Sequence, residues 1–246
     1  MISHFFHIAL YQPIYNVLIF FVGIVPGGDM GIAVILATII VRLIIAPLSI
    51  SAAKTQRRMK FVEPQLKEVK EKYKDDRAKQ AEETMKVYKN NGIKPFASIG
   101  AALLQLPIII ALYAVFRKES LSHANVSLVY HFIKLPTTIS PLFLGIFAIA
   151  GHNVFLAILA GAGQYLQAHL TIPVPAKTTA PSGSEDFARA LALQSRIVLP
   201  VLIGVFAYTS GAIALYFITS SVVGIVQEFY VRYALRKLKM PTTQAA

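Results

Sequence analysis

The chain of 246 residues contains no cysteine. That excludes a disulfide framework, thiolate chemistry and a lipidated cysteine at its start. Charge is scarce, at 15% of residues, where a soluble domain carries about a quarter. Acid is scarcer still, with 12 acidic residues against 24 basic ones. Residues 1–30 hold no Lys or Arg, so the positive start of a secretory signal peptide is missing. No H-E-x-x-H, P-loop or G-x-S-x-G motif occurs. Ser51–Lys54 matches S-x-x-K without the rest of that catalytic set, and His4 and His7 have no acidic or cysteine companion, so neither a catalytic residue nor a metal site is expected.

What remains is hydrocarbon. Hydrophobic residues make up 55% of the chain, and the mean hydropathy is +0.58. Several apolar runs approach the ~20 residues that cross a bilayer as a helix, and none alternates as a barrel strand would. The fold class is all-α, a polytopic membrane protein. The net charge of +12 would suggest nucleic acid in a soluble protein. Here the basic residues sit between apolar spans, where they set topology.

Five spans are expected, at about 31–51, 98–116, 153–170, 197–209 and 212–231. Residues 5–25 are apolar but broken by Gln12 and Pro13, and hydropathy alone leaves open whether they span or lie in the interface. Residues 54–94 carry 13 Lys and Arg against 7 acids. Glu63-Pro64 reads as a helix start, Asp75-Asp76 as a turn and Asn90-Asn91-Gly92 as a stop. Leu66, Val69 and Tyr73 then face Ala81, Met85 and Tyr88 in a helical hairpin with a thin apolar seam. The segments are therefore 1–53 (external helix and first span), 54–94 (hairpin), 95–240 (four further spans) and 241–246 (tail). Basic residues cluster in 54–94, in 171–196 and at Arg232, Arg236, Lys237 and Lys239 near the C-terminus. That places these inside, with the N-terminus outside and the C-terminus cytoplasmic.

One charge breaks the pattern. Arg42 lies eleven residues beyond Gly31, ~16 Å into a core about 30 Å thick. At that depth a charge costs ~2.5–3.5 kcal/mol or more if it faces lipid. No carboxylate is expected at the same depth: Asp29 and Glu119 belong to the outer ends of spans and Glu228 to an inner end. Thr38 and Ser49 share a helix face with Arg42, Ser98 shares one with Gln105, and Tyr216, Ser220 and Gln227 share another. Interhelical hydrogen bonding explains such stripes in general. With a mid-depth arginine among them, a water-filled polar cavity is the better reading.

These residues carry a resemblance. The runs "GIAVILATIIVRLIIAPLS" from Gly31, "EPQLKEVKEKYKDD" from Glu63, "KPFASIGAALLQLPIIIALYAVF" from Lys94 and "SGAIALYFITSSVVGIVQE" from Ser210 are similar to the YidC membrane insertases, bacterial relatives of the mitochondrial Oxa and chloroplast Albino insertases. The likeness covers most of residues 5–235. The chain departs from the family pattern in the missing cysteine near Gly100, in Phe217 where Trp or Tyr is usual, and in a short basic tail. The large extracytoplasmic domain and lipoprotein start of many relatives are not expected here.

The resemblance implies a five-span fold in a bacterial plasma membrane, with residues 5–22 as an interfacial external helix. It implies a non-enzymatic insertase and chaperone without cofactor. Nascent membrane proteins and the bilayer would be its partners, with a ribosome and a Sec-type translocon left open. Arg42 would line a hydrophilic groove open to the cytoplasm, together with Thr38, Gln105, Ser220 and Gln227. Ile109, Tyr216 and Phe217 would form the slide along which clients pass. A small-solute transporter or channel is the competing class, though no inverted repeat supports it.

The absence of cysteine makes the orientation directly testable. Asp75→Cys and Ser182→Cys should react with an impermeant maleimide only from the cytoplasmic side, and Asn125→Cys only from outside. Opposite labelling of any of the three would overturn the assignment.

Overall fold

The computed structural model describes residues 2–119, 123–172 and 183–237. It is built of α-helices: α1 (Ile2–Phe6), α2 (Gln12–Ile24), α3 (Met30–Lys72), α4 (Arg77–Asn90), α5 (Pro95–Lys118), α6 (Val154–Thr171), α7 (Gly183–Tyr208) and α8 (Gly211–Lys237). A small antiparallel hairpin, β1 (Leu142–Phe143) and β2 (Phe147–Ala148), interrupts the segment between α5 and α6. The helices are too apolar, and too exposed along their apolar faces, for water. Ile44, Ile158, Val201, Val205 and Val226 are all more than half exposed, as lipid-facing side chains are. The chain is a polytopic α-helical membrane protein. The expected tail, and residues 173–182 of the expected inside segment 171–196, lie outside the described residues.

The break at Gln12-Pro13 does not end the first helix. A π-turn, His7–Tyr11, joins α1 to α2, and the Gln12 N–H reaches the His7 carbonyl five residues back. Pro13 has no N–H, and its ring would collide with the carbonyl four residues earlier; the wider turn makes room for it. By length and composition the resulting helix, His4–Ile24, is long and apolar enough to cross a bilayer.

Pro64 does not start a helix. It lies inside α3, as does Pro47, so the first span and the first arm of the hairpin are one helix. The expected boundary at residues 53 and 54 is not a break in secondary structure. The signal failed because proline costs a helix interior one hydrogen bond and a clash, which neighbouring interactions can offset. α7 likewise starts at Gly183, well before the expected residue 197, and passes through Pro200.

The chain divides into two compact units. One holds residues up to 44 with 105–225, the other 45–104 with 226 onward. In the second, α3 and α4 form the expected antiparallel pair. Asp76 caps α4, accepting from the Lys79 N–H at 3.0 Å. The Gln80 amide donates to the Lys70 carbonyl at 3.2 Å. Arg58 donates to the Gly92 carbonyl at 2.8 Å beyond the end of α4. The seam differs from the expected one. Leu66, Val69 and Tyr73 are half-buried as expected, but Ala81 and Met85 are exposed. On α4 the half-buried residues are Gln80, Glu83, Thr84, Val87 and Tyr88. The cap and the Gln80 bond fix the rotation of α4, and in so polar a helix they outweigh two apolar side chains. Lys86 pairs with Glu82 at 2.9 Å and Glu83 at 2.7 Å. The hydrogen bond from Lys86, then its charge, holds the Glu82 carboxyl below its ordinary range. That contribution is present above the unfolded carboxylate range and is lost as pH falls through the lowered folded value.

In the first unit, residues 123–151 pack back onto the start of the chain. Asn16 is buried; its amide donates to the Leu128 carbonyl at 2.8 Å and its oxygen accepts from the Tyr130 N–H at 2.7 Å. The Tyr15 hydroxyl accepts from the Asn125 N–H at 2.6 Å. Asp29 caps α3 through the Ile32 N–H at 2.9 Å, and its second oxygen accepts from the Leu144 N–H at 2.7 Å. The turn of the β-hairpin has Leu144 at φ 53° and Gly145 at φ 71°, both positive as a I′ turn requires. For a leucine this costs about 1–2 kcal/mol.

Small residues let helices approach. A Cβ on Gly161 of α6 would lie 3.6 Å from the Gly204 Cα of α7, so the two backbones touch without side chains between them. Gly163 faces Ser221 of α8, where an added Cβ would meet the Ser221 Cβ at 3.3 Å. Beside the Gly161–Gly204 contact lies a cleft of ≈ 580 Å³ lined by Val154, Ile158, Tyr165, Val201, Val205 and Tyr208. It is almost wholly apolar, so it is part of the lipid-facing surface rather than a polar site.

Candidate functional site

Two of the polar stripes read from the sequence, those of α3 and α8, have paired members. In the first unit, Arg42 of α3 donates through Nε to the Ser220 hydroxyl of α8 at 2.6 Å, and Nη2 donates to the same oxygen. Ser220 is buried and Arg42 half-buried. In the second unit, the Ser49 hydroxyl and the Gln227 side-chain oxygen are 2.8 Å apart. Seven residues separate Arg42 from Ser49 and Ser220 from Gln227, two helical turns on each face.

The Arg42 contact does not neutralise the charge. A guanidinium has five N–H donors, and Ser220 takes two of them. Among the described residues the partner is a hydroxyl, not a carboxylate. A hydrogen bond to a charged group contributes about 1.5–3 kcal/mol. That is no more than the lower estimates for placing an arginine at this depth.

The other expected site residues are placed less uniformly. Thr38 is buried, and its hydroxyl donates to the Val34 carbonyl of its own helix at 2.6 Å. Ile109 is half-buried on α5, next to the exposed Ile110. Tyr216 and Phe217 are buried, at 3% and 6% exposure. Phe217 packs edge-on against Phe206 of α7, with centroids 6.2 Å apart, and Phe206 in turn meets Tyr113 of α5 at 5.2 Å. Of the slide residues named on α8, Phe217 is thus in contact with α7. Gln105 belongs to α5, but its side chain lies outside the described residues, as does that of Ser98.

One cluster escaped the sequence reading. Glu228 of α8 is 4% exposed, and one of its oxygens accepts from Arg57 and from Arg232, the latter at 3.1 Å. Arg232 lies one turn beyond Glu228 and could have been found as an i,i+4 pair. Arg57 is 171 residues away in sequence, and no local signal connects it. The acid nearest in sequence to the α8 stripe is therefore held by two arginines of its own unit.

A helical membrane fold with an arginine inside an apolar helix defines a class of polytopic protein, and comparison with known proteins narrows it. The family model described as 60Kd inner membrane protein matches residues 20–238, and the chain belongs to that family. It is 34% identical over 160 residues to the protein named Membrane protein insertase YidC from Clostridium tetani, covering 65% of each chain. It is 30% identical over 213 residues to the protein of the same name from Wolinella succinogenes, covering 86% of this chain and 35% of that one. A Fusobacterium nucleatum relative, also so named, is 27% identical over 205 residues, 83% of this chain and 86% of the relative. The chain spans under two thirds of the length of the first two relatives. Family and apolar helices together make it a multi-pass protein of a bacterial membrane.

The Glu228 cluster is expected to carry stability. Glu228→Gln removes the charge that both arginines share. With each arginine side chain 32% exposed, solvent screens part of the loss, leaving about 1–3 kcal/mol. Thermal unfolding in detergent should show a lowered midpoint; an unchanged midpoint would mean the cluster contributes nothing.

Proposed function

We propose that this protein is an insertase and chaperone for other membrane proteins, with Arg42 as the working charge of a hydrophilic groove open to the cytoplasm. The observation that carries the reading is the Arg42–Ser220 contact. A permanent cation at mid-depth, held by a neutral hydroxyl and not by an acid, keeps its attraction for an incoming anionic group. The relatives' shared name supports the same activity.

The mechanism follows from the energetics. A hydrophilic segment crossing a bilayer loses its hydration. A wet groove shortens the dry distance, and Arg42 offers a transient partner for carboxylates in that segment. In this reading Ser220 orients the guanidinium, and Thr38, Gln105 and Gln227 are the further polar residues of the groove. The client's apolar helix leaves between α5 and α7, past Ile109, with Tyr216 and Phe217 supporting that face from behind. Partition of the apolar helix into lipid drives release, so no nucleotide is consumed. Clients enter from the cytoplasm, where residues 54–94 lie; a ribosome is the candidate partner on that side and a Sec-type translocon the candidate partner within the membrane.

Reconstituted liposomes and a short single-span client with an acidic translocated segment provide the test. Arg42→Lys keeps the charge and should retain most insertion. Arg42→Ala should lose most of it while the protein still folds, and a client with a neutral translocated segment should be less affected. Full insertion of the acidic client by Arg42→Ala would refute the role, as would unfolding of Arg42→Ala with Arg42→Lys also inactive.

A further inference from the structure

The β-hairpin between α5 and α6 has no part in that reading, and its composition is unusual for a connecting segment. Residues 135–151 contain no charged residue. The turn exposes two large hydrophobic side chains, Leu144 at 58% and Ile146 at 74%. A I′ turn with both central residues at positive φ is ordinarily filled by Asn-Gly. Here the first position is Leu144, at φ 53°. A strained and exposed leucine stands where asparagine would be relaxed and soluble, so water is the wrong surrounding for this tip.

The hairpin is also held at a defined level. Asp29 accepts from both the Ile32 N–H, at the start of α3, and the Leu144 N–H. Phe143 lies against the first turn of α3, where a Cβ on Gly31 would come within 2.5 Å of the Phe143 Cβ. Phe147 stacks on Phe155 in the first turn of α6, with centroids 5.7 Å apart, and Val154 and Phe155 are themselves more than half exposed. The hairpin therefore rests on the beginnings of two apolar helices, and its apolar surface runs into the lipid-facing start of α6.

We infer that the tip formed by Leu144, Gly145 and Ile146 is a membrane anchor, inserted among the lipid acyl chains of the leaflet where α3 and α6 begin. Its ligand is the lipid surface itself. The inserted side chains fix the segment over the starts of α3 and α6 without a further helix. Insertion returns to Leu144 and Ile146 the apolar surroundings they lack in water and offsets the cost of the turn.

The chain's lack of cysteine gives a clean probe. Ile146→Cys alters only an exposed side chain; the variant is labelled with the polarity-sensitive fluorophore NBD and reconstituted into phosphatidylcholine–phosphatidylglycerol vesicles, with and without phosphatidylcholine brominated along its acyl chains. Ser127→Cys, exposed elsewhere in the same region, is the reference. The label at residue 146 should emit at shorter wavelength and be quenched several-fold more strongly by the brominated lipid than the label at 127. Equal quenching at the two sites would overturn the proposal. So would a blue-shifted but unquenched label at 146, which would place the tip against protein, a second copy or a partner, instead of lipid.

Discussion

The constraint on which the rest depends is the charge of Arg42 within the apolar part of α3. An arginine cannot discharge itself by giving up a proton under ordinary conditions. The fold must either neutralise it, hydrate it or bring it within reach of something anionic. Among the described residues it receives a buried serine hydroxyl, which orients the guanidinium and leaves its charge intact. The nearest carboxylate along α8 is Glu228, eight residues beyond Ser220. That carboxylate is instead committed to Arg57 and Arg232 in the other unit. The division of partners keeps Arg42 electrostatically available.

Several other polar side chains hold ends and connections. Asn16 binds both a carbonyl and an N–H of residues 128–130, so one amide fixes the following connection against α2. Asp29 does the same for α3 and the β-hairpin, and Asp76 and Arg58 bracket α4. The apolar helices themselves are joined by small residues, as at Gly161 and Gly204. This is the arrangement lipid demands: hydrophobic burial gives little attraction between helices there, so close backbone approach and a few hydrogen bonds decide the packing.

Much of this was legible from the residues. Apolar length located α3, α5, α6 and α8. Asn153, at the edge of an expected span, caps α6, and the break at Ser210–Gly211 separates α7 from α8. The face shared by Arg42 and Ser49 and the face shared by Ser220 and Gln227 both came from helical spacing alone, and the structure pairs their members. What could not be read depends on interactions between distant residues. Pro64 has the same local signature at a helix start as within a helix whose neighbours compensate for it. The rotation of α4 follows a cap and a Gln80–Lys70 bond rather than its sparse apolar residues. Arg57 and Glu228 meet only because α3 and α8 pack together. Phe217 meets Phe206 of α7, which meets Tyr113 of α5, and no local signal connects the three.

The central claim, that position 42 of α3 is wet and serves as a positive charge, has a direct measurement. Arg42→Cys places a thiol there, and a thiol reacts as its thiolate, which forms in water and not in lipid. In reconstituted vesicles, an impermeant methanethiosulfonate added on the cytoplasmic side should modify residue 42 at a rate comparable to that of Asp75→Cys. Modification with the aminoethyl reagent, which restores a cation, should recover client insertion, whereas a neutral methyl reagent should not. A thiol at residue 42 that resists every water-borne reagent, or insertion recovered equally by the neutral and the cationic adduct, would contradict the account.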